Sequence, residues 1–128
     1  ALLRVKLQHL TEWNRQRLNL YERYVEGFTS FLQSNQLPRL EENVLASPHL
    51  FVIEVDDREV LKAHLASRAI ETLIHYPAAI HQHPAWDAGS TFPVAERLAS
   101  RCLSLPFHQD LRDDQLDAVV ERIREYYG

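Results

Sequence analysis

The sequence predicts a small two-layer α/β (α+β) domain: a long N-terminal helix plus a three- or four-stranded sheet with helices on one face. Three observations predict it. Apolar residues recur at helical spacing through roughly the first 32 positions. Three short runs rich in aliphatic residues follow, with helix-like segments separating them. The composition, 45% hydrophobic and 25% charged over 128 residues, is globular and long enough for one real core.

Each element follows from a local signal. Leu3, Leu7, Leu10, Tyr21, Tyr24, Val25, Phe28, Phe31 and Leu32 form a helical stripe, while Arg4, Glu12, Arg15, Arg17, Glu22, Arg23 and Glu26 largely take other positions. Leu2, Val5, Trp13 and Leu20 lie off the stripe, so this helix is expected to touch more than its own small core. Residues 1–32 therefore read as a connecting helix of roughly 45 Å, and 33–128 as the domain proper. Gln33 to Pro48 is polar and broken by two prolines, a loop. Leu50 to Val55 is a buried strand. Asp56, with Glu59 three residues on, suggests a capping box opening a helix that buries Val60, Leu61 and Leu65. Ile70 to Ile74 reads as a second strand, and a parallel right-handed crossover from the first is permitted. Tyr76 to Ser90 is a loop rich in His and Pro. Pro93 suits the first turn of a helix burying Val94, Leu98 and Ala99. Cys102 to Leu105 is a third strand, stopped by Pro106. A last helix starts near Asp113 and buries Leu116, Val119, Val120 and Ile123.

Charge and composition narrow the partners. The net charge of −4, from 14 Lys+Arg against 18 Asp+Glu, argues against nucleic acid. No apolar run reaches the roughly 20 residues of a membrane-spanning helix. The lone Cys102 cannot form an internal disulfide and fits a reducing cytoplasm. Flanked by Leu103 and Leu105, it is expected to be a small hydrophobe with a raised pKa. Three glycines give no glycine-rich phosphate cradle, and the absence of methionine suggests a processed chain or an excerpt.

The densest polar group is His75-Tyr76-Pro77-Ala78-Ala79-Ile80-His81-Gln82-His83-Pro84. Its prolines lack N–H donors and stiffen it, while imidazoles and a phenol can exchange hydrogen bonds with hydroxyls or phosphates. It reads either as a polar small-molecule site or as a surface loop whose histidines cap and pack. His81 and His83, with His75 nearby, have a zinc-compatible spacing, but no Cys pair or carboxylate motif completes a set, and Asp87 is the sole close acid. No metal site is expected. His9, His49, His64 and His108 read as structural. The acid pairs Glu41-Glu42, Asp56-Asp57 and Asp113-Asp114 read as loop and helix-start residues.

Several strings together resemble the C-terminal domain of the DegT/DnrJ-type sugar aminotransferases. They are Arg68-Ala69-Ile70-Glu71-Thr72-Leu73-Ile74-His75-Tyr76-Pro77, then Ile80-His81 and Pro84-Ala85, Phe92 to Ala99, and Leu103-Ser104-Leu105-Pro106-Phe107-His108. The opening ten residues resemble the family's helix that follows its large domain. The resemblance implies a fold-type-I enzyme using pyridoxal phosphate (PLP). Such an enzyme transfers an amino group from glutamate, or a similar donor, to a nucleotide-linked keto sugar, and works as a homodimer with interfacial sites. Carried over, His75, Tyr76 and His81 would lie on the loop nearest the active-site mouth and bind substrate; no catalytic or cofactor-binding residue carries over.

The departures from the family pattern are instructive. The Schiff-base lysine belongs to an N-terminal large domain that is missing here, and Lys6 and Lys62 match no lysine motif. The 128 residues alone are therefore expected to lack transaminase activity. Ala69 stands where the family usually has Gly, Pro48 where an aromatic is common, and Arg112 in place of a capping Thr, leaving Asp113 as the expected cap. The leading expectation is an excerpt of a sugar aminotransferase. A free-standing binding or interaction module, or one half of a split enzyme, are the alternatives.

Overall fold

The computed structural model describes residues 2–41, 43–86 and 89–128. Helices α1 (Leu2–Leu7) and α2 (Leu10–Phe28) precede strand β1 (Phe51–Glu54) and helix α3 (Arg58–Ala66). A 3-10 turn (Ile80–Gln82), helix α4 (Pro93–Arg101), strand β2 (Cys102–Leu105) and helix α5 (Asp113–Tyr127) complete the order. The mixed α/β class holds. Glu42 and Asp87, named above as candidate acids, lie outside the described residues, as do Ala1 and Ala88.

The sheet is narrower than the sequence suggests. β1 and β2 pair antiparallel, with Phe51 opposite Leu105 and Ile53 opposite Leu103. The run from Ile70 to Ile74 does not form a third strand; among the described residues it adds one antiparallel bridge, between Leu73 and Ser104. Both hydrogen bonds of that bridge form, Leu73 N–H to Ser104 O at 3.0 Å and Ser104 N–H to Leu73 O at 2.8 Å. Pairing stops there because the backbone turns at each side, through positive φ at Ala69 (59°) and Tyr76 (57°).

The first helical stretch is interrupted. Gln8 and His9 form a turn between α1 and α2, held by Gln8 N–H to Val5 O and His9 N–H to Lys6 O. α2 ends at Phe28, so Phe31 and Leu32 pack from the turn that follows. Its C-terminal half is buried at Leu20, Tyr21, Tyr24 and Phe28, whereas Leu3, Val5, Leu7 and Leu10 are exposed. Leu20, off the main stripe in sequence, is thus a core residue. Gly27 allows α2 to approach α5: a Cβ there would meet both methyl groups of Val120 at 3.0 Å.

One core unites these elements. It joins the inward residues Phe51, Ile53, Leu103 and Leu105 of the sheet to Tyr24 and Phe28 of α2, Leu61 and Leu65 of α3, and Leu116, Val119, Val120 and Ile123 of α5. Phe51 is its aromatic centre, with ring centroids 4.7 Å from Tyr24, 5.4 Å from Tyr21, 6.0 Å from Phe28 and 6.2 Å from Phe107. Four expected core positions, Val60, Val94, Leu98 and Ala99, are outside it. Val60 on α3 is exposed, and α4 buries none of its residues, Val94 and Leu98 both being exposed. α4 sits at the end of β1 and enters β2 directly, so its apolar side chains have no opposing layer.

The helix starts also differ in mechanism. Pro93 does occupy the first turn of α4. α3 begins at Arg58 with Asp57 at the N-cap and no side-chain cap bond, while Asp56 is drawn into an ion pair with Arg101. For α5 the N-cap is Arg112, whose N–H donates to the Gln115 side chain at 3.0 Å. Asp113, expected as the cap, instead pairs with Arg23 of α2, which also reaches Asp117 at 2.8 Å. An opposite charge on a neighbouring helix competes successfully for these carboxylates.

The C-terminus of α3 accounts for one departure noted in the sequence. Ile70 N–H bonds Leu65 O at 3.0 Å and Ala69 N–H bonds Ala66 O at 3.1 Å, the paired bonds of a Schellman motif. Its left-handed position is Ala69, where a Cβ is unfavourable and glycine is not. Ala69→Gly is expected to raise stability by about 1 kcal/mol, the left-handed penalty outweighing glycine's extra unfolded-state entropy. Urea denaturation, read as a higher midpoint with unchanged slope, checks this.

Candidate functional site

An open cleft of about 650 Å3 lies between the 68–75 segment, the turn after β2, and α5. Its floor is apolar, with Leu73, Phe107 and Val119 among the lining groups, and its rim is polar, with Arg68, Glu71, His75 and His108. An apolar concavity with a few convergent polar groups is the usual form of a small-molecule site.

β2 positions the first of the sequence-predicted residues. Leu103 and Leu105 point into the core, so alternation sends Ser104 to the other side of the strand. There Ser104 Oγ, itself buried, lies 2.8 Å from His75 Nδ1. That bond fixes the ring at the cleft's edge. The next residue, Tyr76, has positive φ and a side chain 83% exposed. A left-handed tyrosine ahead of a proline is strained backbone, of the kind that collects at functional sites. His75 and Tyr76 therefore stand side by side, one ring held and one phenol free to meet a ligand.

His81 is held elsewhere. It sits in the 3-10 turn, which closes with His83 N–H to Ile80 O at 3.1 Å and Ala79 N–H to the Gln82 side chain at 3.0 Å. Its side chain is only 10% exposed and does not line the cleft. Nε2 lies 2.8 Å from Glu96 Oε1, and the ring packs 4.9 Å from that of Phe92. A carboxylate can only accept, so Nε2 carries the proton. The same Oε1 accepts the Phe92 N–H at 3.0 Å, tying the end of the loop to the first turn of α4. Those two donors, Phe92 N–H first and His81 second, hold the Glu96 carboxyl below the usual glutamate range.

The histidine spacing that resembles a zinc pattern does not converge. Among the described residues no three His, Cys, Asp or Glu side chains form a metal-binding group. Cys102 is half-buried, and burial raises its thiol above the usual value, the direction its flanking strand leucines suggest. His64 bridges two helices, with Nε2 2.9 Å from Arg122 O and Nδ1 3.2 Å from the Arg68 guanidinium. His108 gives its carbonyl to a turn, accepting from Leu111 N–H at 3.0 Å, and also lines the cleft. Sequence reasoning reads His108 as structural and does not single out Arg68, Ser104 or Glu96 as site residues. Ser104 had a legible signal, a lone hydroxyl between two strand leucines; Glu96 had none, because its partners come from 15 and four residues away.

This small α/β domain, with its cleft and stiff His-Tyr-Pro loop, has the fold of one portion of the sugar aminotransferases. It superposes on the S. venezuelae DesV structure in complex with a ketimine intermediate with a TM-score of 0.90 and 33% identity, over 98% of this chain and 35% of that one. The chain belongs to the DegT/DnrJ/EryC1/StrS aminotransferase family, whose profile matches residues 1–124. It is 38% identical to the erythromycin biosynthesis sensory transduction protein EryC1 of Saccharopolyspora erythraea, over 97% of this chain and 35% of that protein. It is 35% identical to the dTDP-3-amino-3,4,6-trideoxy-alpha-D-glucose transaminase of Streptomyces venezuelae, over 98% of this chain and 34% of that one. The chain thus spans about a third of the length of these relatives.

Enzymes of this family and fold use PLP. Among the described residues, no lysine lines the cleft. The cofactor's imine requires a lysine amine, and neither Lys6, on the exposed α1, nor Lys62, on α3, lies there.

The Glu96 contacts give a pH dependence of definite sign. A carboxyl whose folded pKa is depressed stabilises the fold fully above its unfolded value, about 4.3, and that contribution is lost as pH falls through the folded value. The Phe92 amide resonance is therefore expected to hold steady at neutral pH and titrate only below about pH 4.3, and Glu96→Gln is expected to flatten the curve in an NMR titration.

Proposed function

We propose that this chain is the C-terminal, substrate-site and dimer-supporting domain of a PLP-dependent aminotransferase that moves an amino group from glutamate to a nucleotide-linked keto sugar in the cytoplasm. The observation that carries the reading is the pairing of a held imidazole, His75 on Ser104, with an exposed and strained Tyr76 beside a cleft. His75 and Tyr76 contact substrate oxygens, and His81 shapes the loop that bears Tyr76. The Schiff-base lysine and the cofactor's phosphate site come from an N-terminal large domain, and the chain is not catalytic alone.

The surface around the loop supports the same reading. Leu73, Tyr76, Ile80, Trp86 and Phe92 are large side chains that are all more than half exposed. So many exposed apolar groups near one loop suit a face covered by a large domain and by the other subunit of a homodimer. The apolar side of α1, at Leu3 and Leu7, likewise suits a helix that runs between two bodies.

Two outcomes test the proposal. In the aminotransferase containing this chain, His75→Ala and Tyr76→Phe are each expected to lower kcat/KM about tenfold, the worth of one lost hydrogen bond. The probe is dTDP-3-amino-3,4,6-trideoxy-α-D-glucose with 2-oxoglutarate as amino acceptor, the amine of the first becoming glutamate. PLP affinity is expected to stay near the parent value; an unchanged kcat/KM for both variants overturns the site assignment. The 128 residues alone are expected to give no imine absorbance with PLP. Saturable imine formation that disappears on replacing Lys6 or Lys62 would show that they carry the chemistry after all.

A further inference from the structure

We propose that Glu96 is a positioning residue of the sugar-nucleotide site: its carboxylate holds the His81 ring, and through that ring it fixes the loop that presents Tyr76. The inference rests on the functional reading above and deepens it, since Glu96 belongs to a helix otherwise serving as scaffold.

The geometry separates this role from ordinary helix capping. Capping α4 needs only the Phe92 N–H, which Glu96 Oε1 accepts at 3.0 Å. Oε1 also accepts from His81 Nε2 at 2.8 Å, a bond that joins α4 to a loop 15 residues earlier. The His81 side chain is nine-tenths buried, so a donor left without its acceptor would be costly, and the ring would have to move or change tautomer. Movement there is transmitted along a stiff path. Pro77 and Pro84 bound the segment, and the 3-10 turn at Ile80–Gln82 is closed by its own hydrogen bonds. The near end is pinned independently by the Leu73–Ser104 bridge and the His75–Ser104 bond. With both ends held, Tyr76 keeps its positive φ and its phenol stays in one place. With the Glu96 end released, the side-chain bond that ties that side to α4 is lost, and relaxation of Tyr76 toward an ordinary backbone conformation is less opposed.

A double-mutant cycle in the aminotransferase containing this chain tests the inference, with dTDP-3-amino-3,4,6-trideoxy-α-D-glucose and 2-oxoglutarate as the probe pair. Glu96→Ala is expected to raise KM for the sugar nucleotide roughly tenfold or more, as misplacement of a binding group does, while KM for 2-oxoglutarate stays unchanged. Glu96→Gln, whose amide oxygen still accepts from both donors, is expected to recover most of the loss. Because Glu96 acts through His81, the Glu96→Ala/His81→Ala pair is expected to be no worse than His81→Ala alone. A merely structural role would lower the melting temperature and the yield of active enzyme but leave KM where it was, and that result overturns the proposal. So does full additivity of the two substitutions. If His75→Ala and Tyr76→Phe are silent as well, the functional reading fails with it. If those two raise KM and Glu96→Ala does not, the positioning role alone falls.

Discussion

The burial of Phe51 is the interaction on which the rest of the structure depends. Four aromatic rings surround it, three from α2 through Tyr21, Tyr24 and Phe28 and one from Phe107 just beyond β2. Burial of that much aromatic surface is a strong driving force, and the tyrosines add direction to it. Tyr24 OH donates to Pro106 O at 2.9 Å and Tyr21 OH to Pro38 O at 2.6 Å. α2 is thereby fixed against both the end of β2 and the long loop before β1. A two-strand sheet of four residues each would be marginal by itself; packed against α2, α3 and α5 it becomes the frame of the domain.

That frame reaches the loop through β2, which does two jobs with alternate residues. Leu103 and Leu105 lock into the core opposite Ile53 and Phe51, leaving the strand no freedom to slip, since a one-residue shift would bury Ser104 in the core and expel both leucines. Ser104 is therefore set to within the tolerance of the core packing. It passes that position on twice, through its backbone to Leu73 and through its hydroxyl to His75. The imidazole at the cleft is thus tied through Ser104 to Leu105, the strand partner of Phe51, although it is itself only partly buried.

Much of this was legible in the sequence, and the misses share a cause. The α5 core residues, the strands at 51–54 and 102–105, and the helix start at Pro93 all follow from period and turn chemistry, which are local. The errors arise where a partner distant in sequence decides. Asp56 and Asp113 have good capping chemistry, but Arg101 and Arg23 arrive from other elements and take their carboxylates. Ile70 to Ile74 has strand composition, yet its pairing is cut to one bridge by backbone turns at Ala69 and Tyr76 that side-chain pattern does not encode. Val94 and Leu98 have core chemistry on a helix that no second layer covers. At the site, the histidines and tyrosine were visible by their density and Ser104 as a lone hydroxyl between strand leucines, whereas Glu96 was hidden among helix residues.

The strain at Tyr76 explains why those holding groups are needed. A non-glycine residue at positive φ costs on the order of 1–3 kcal/mol, and proline following it adds its own restriction. A free loop would relieve that cost by rotating back. Here rotation is blocked from both directions: the residues before Tyr76 are paired to β2, and the turn after it is bonded to α4 through His81 and Glu96. The two attachments act on opposite ends of the segment, so each restrains motion that the other leaves open. The pairing of a strained residue with two independent anchors therefore places the phenol by geometry rather than by contacts of its own. It also leaves the ring exposed, which is the condition under which it can spend its hydrogen bond on something other than the protein.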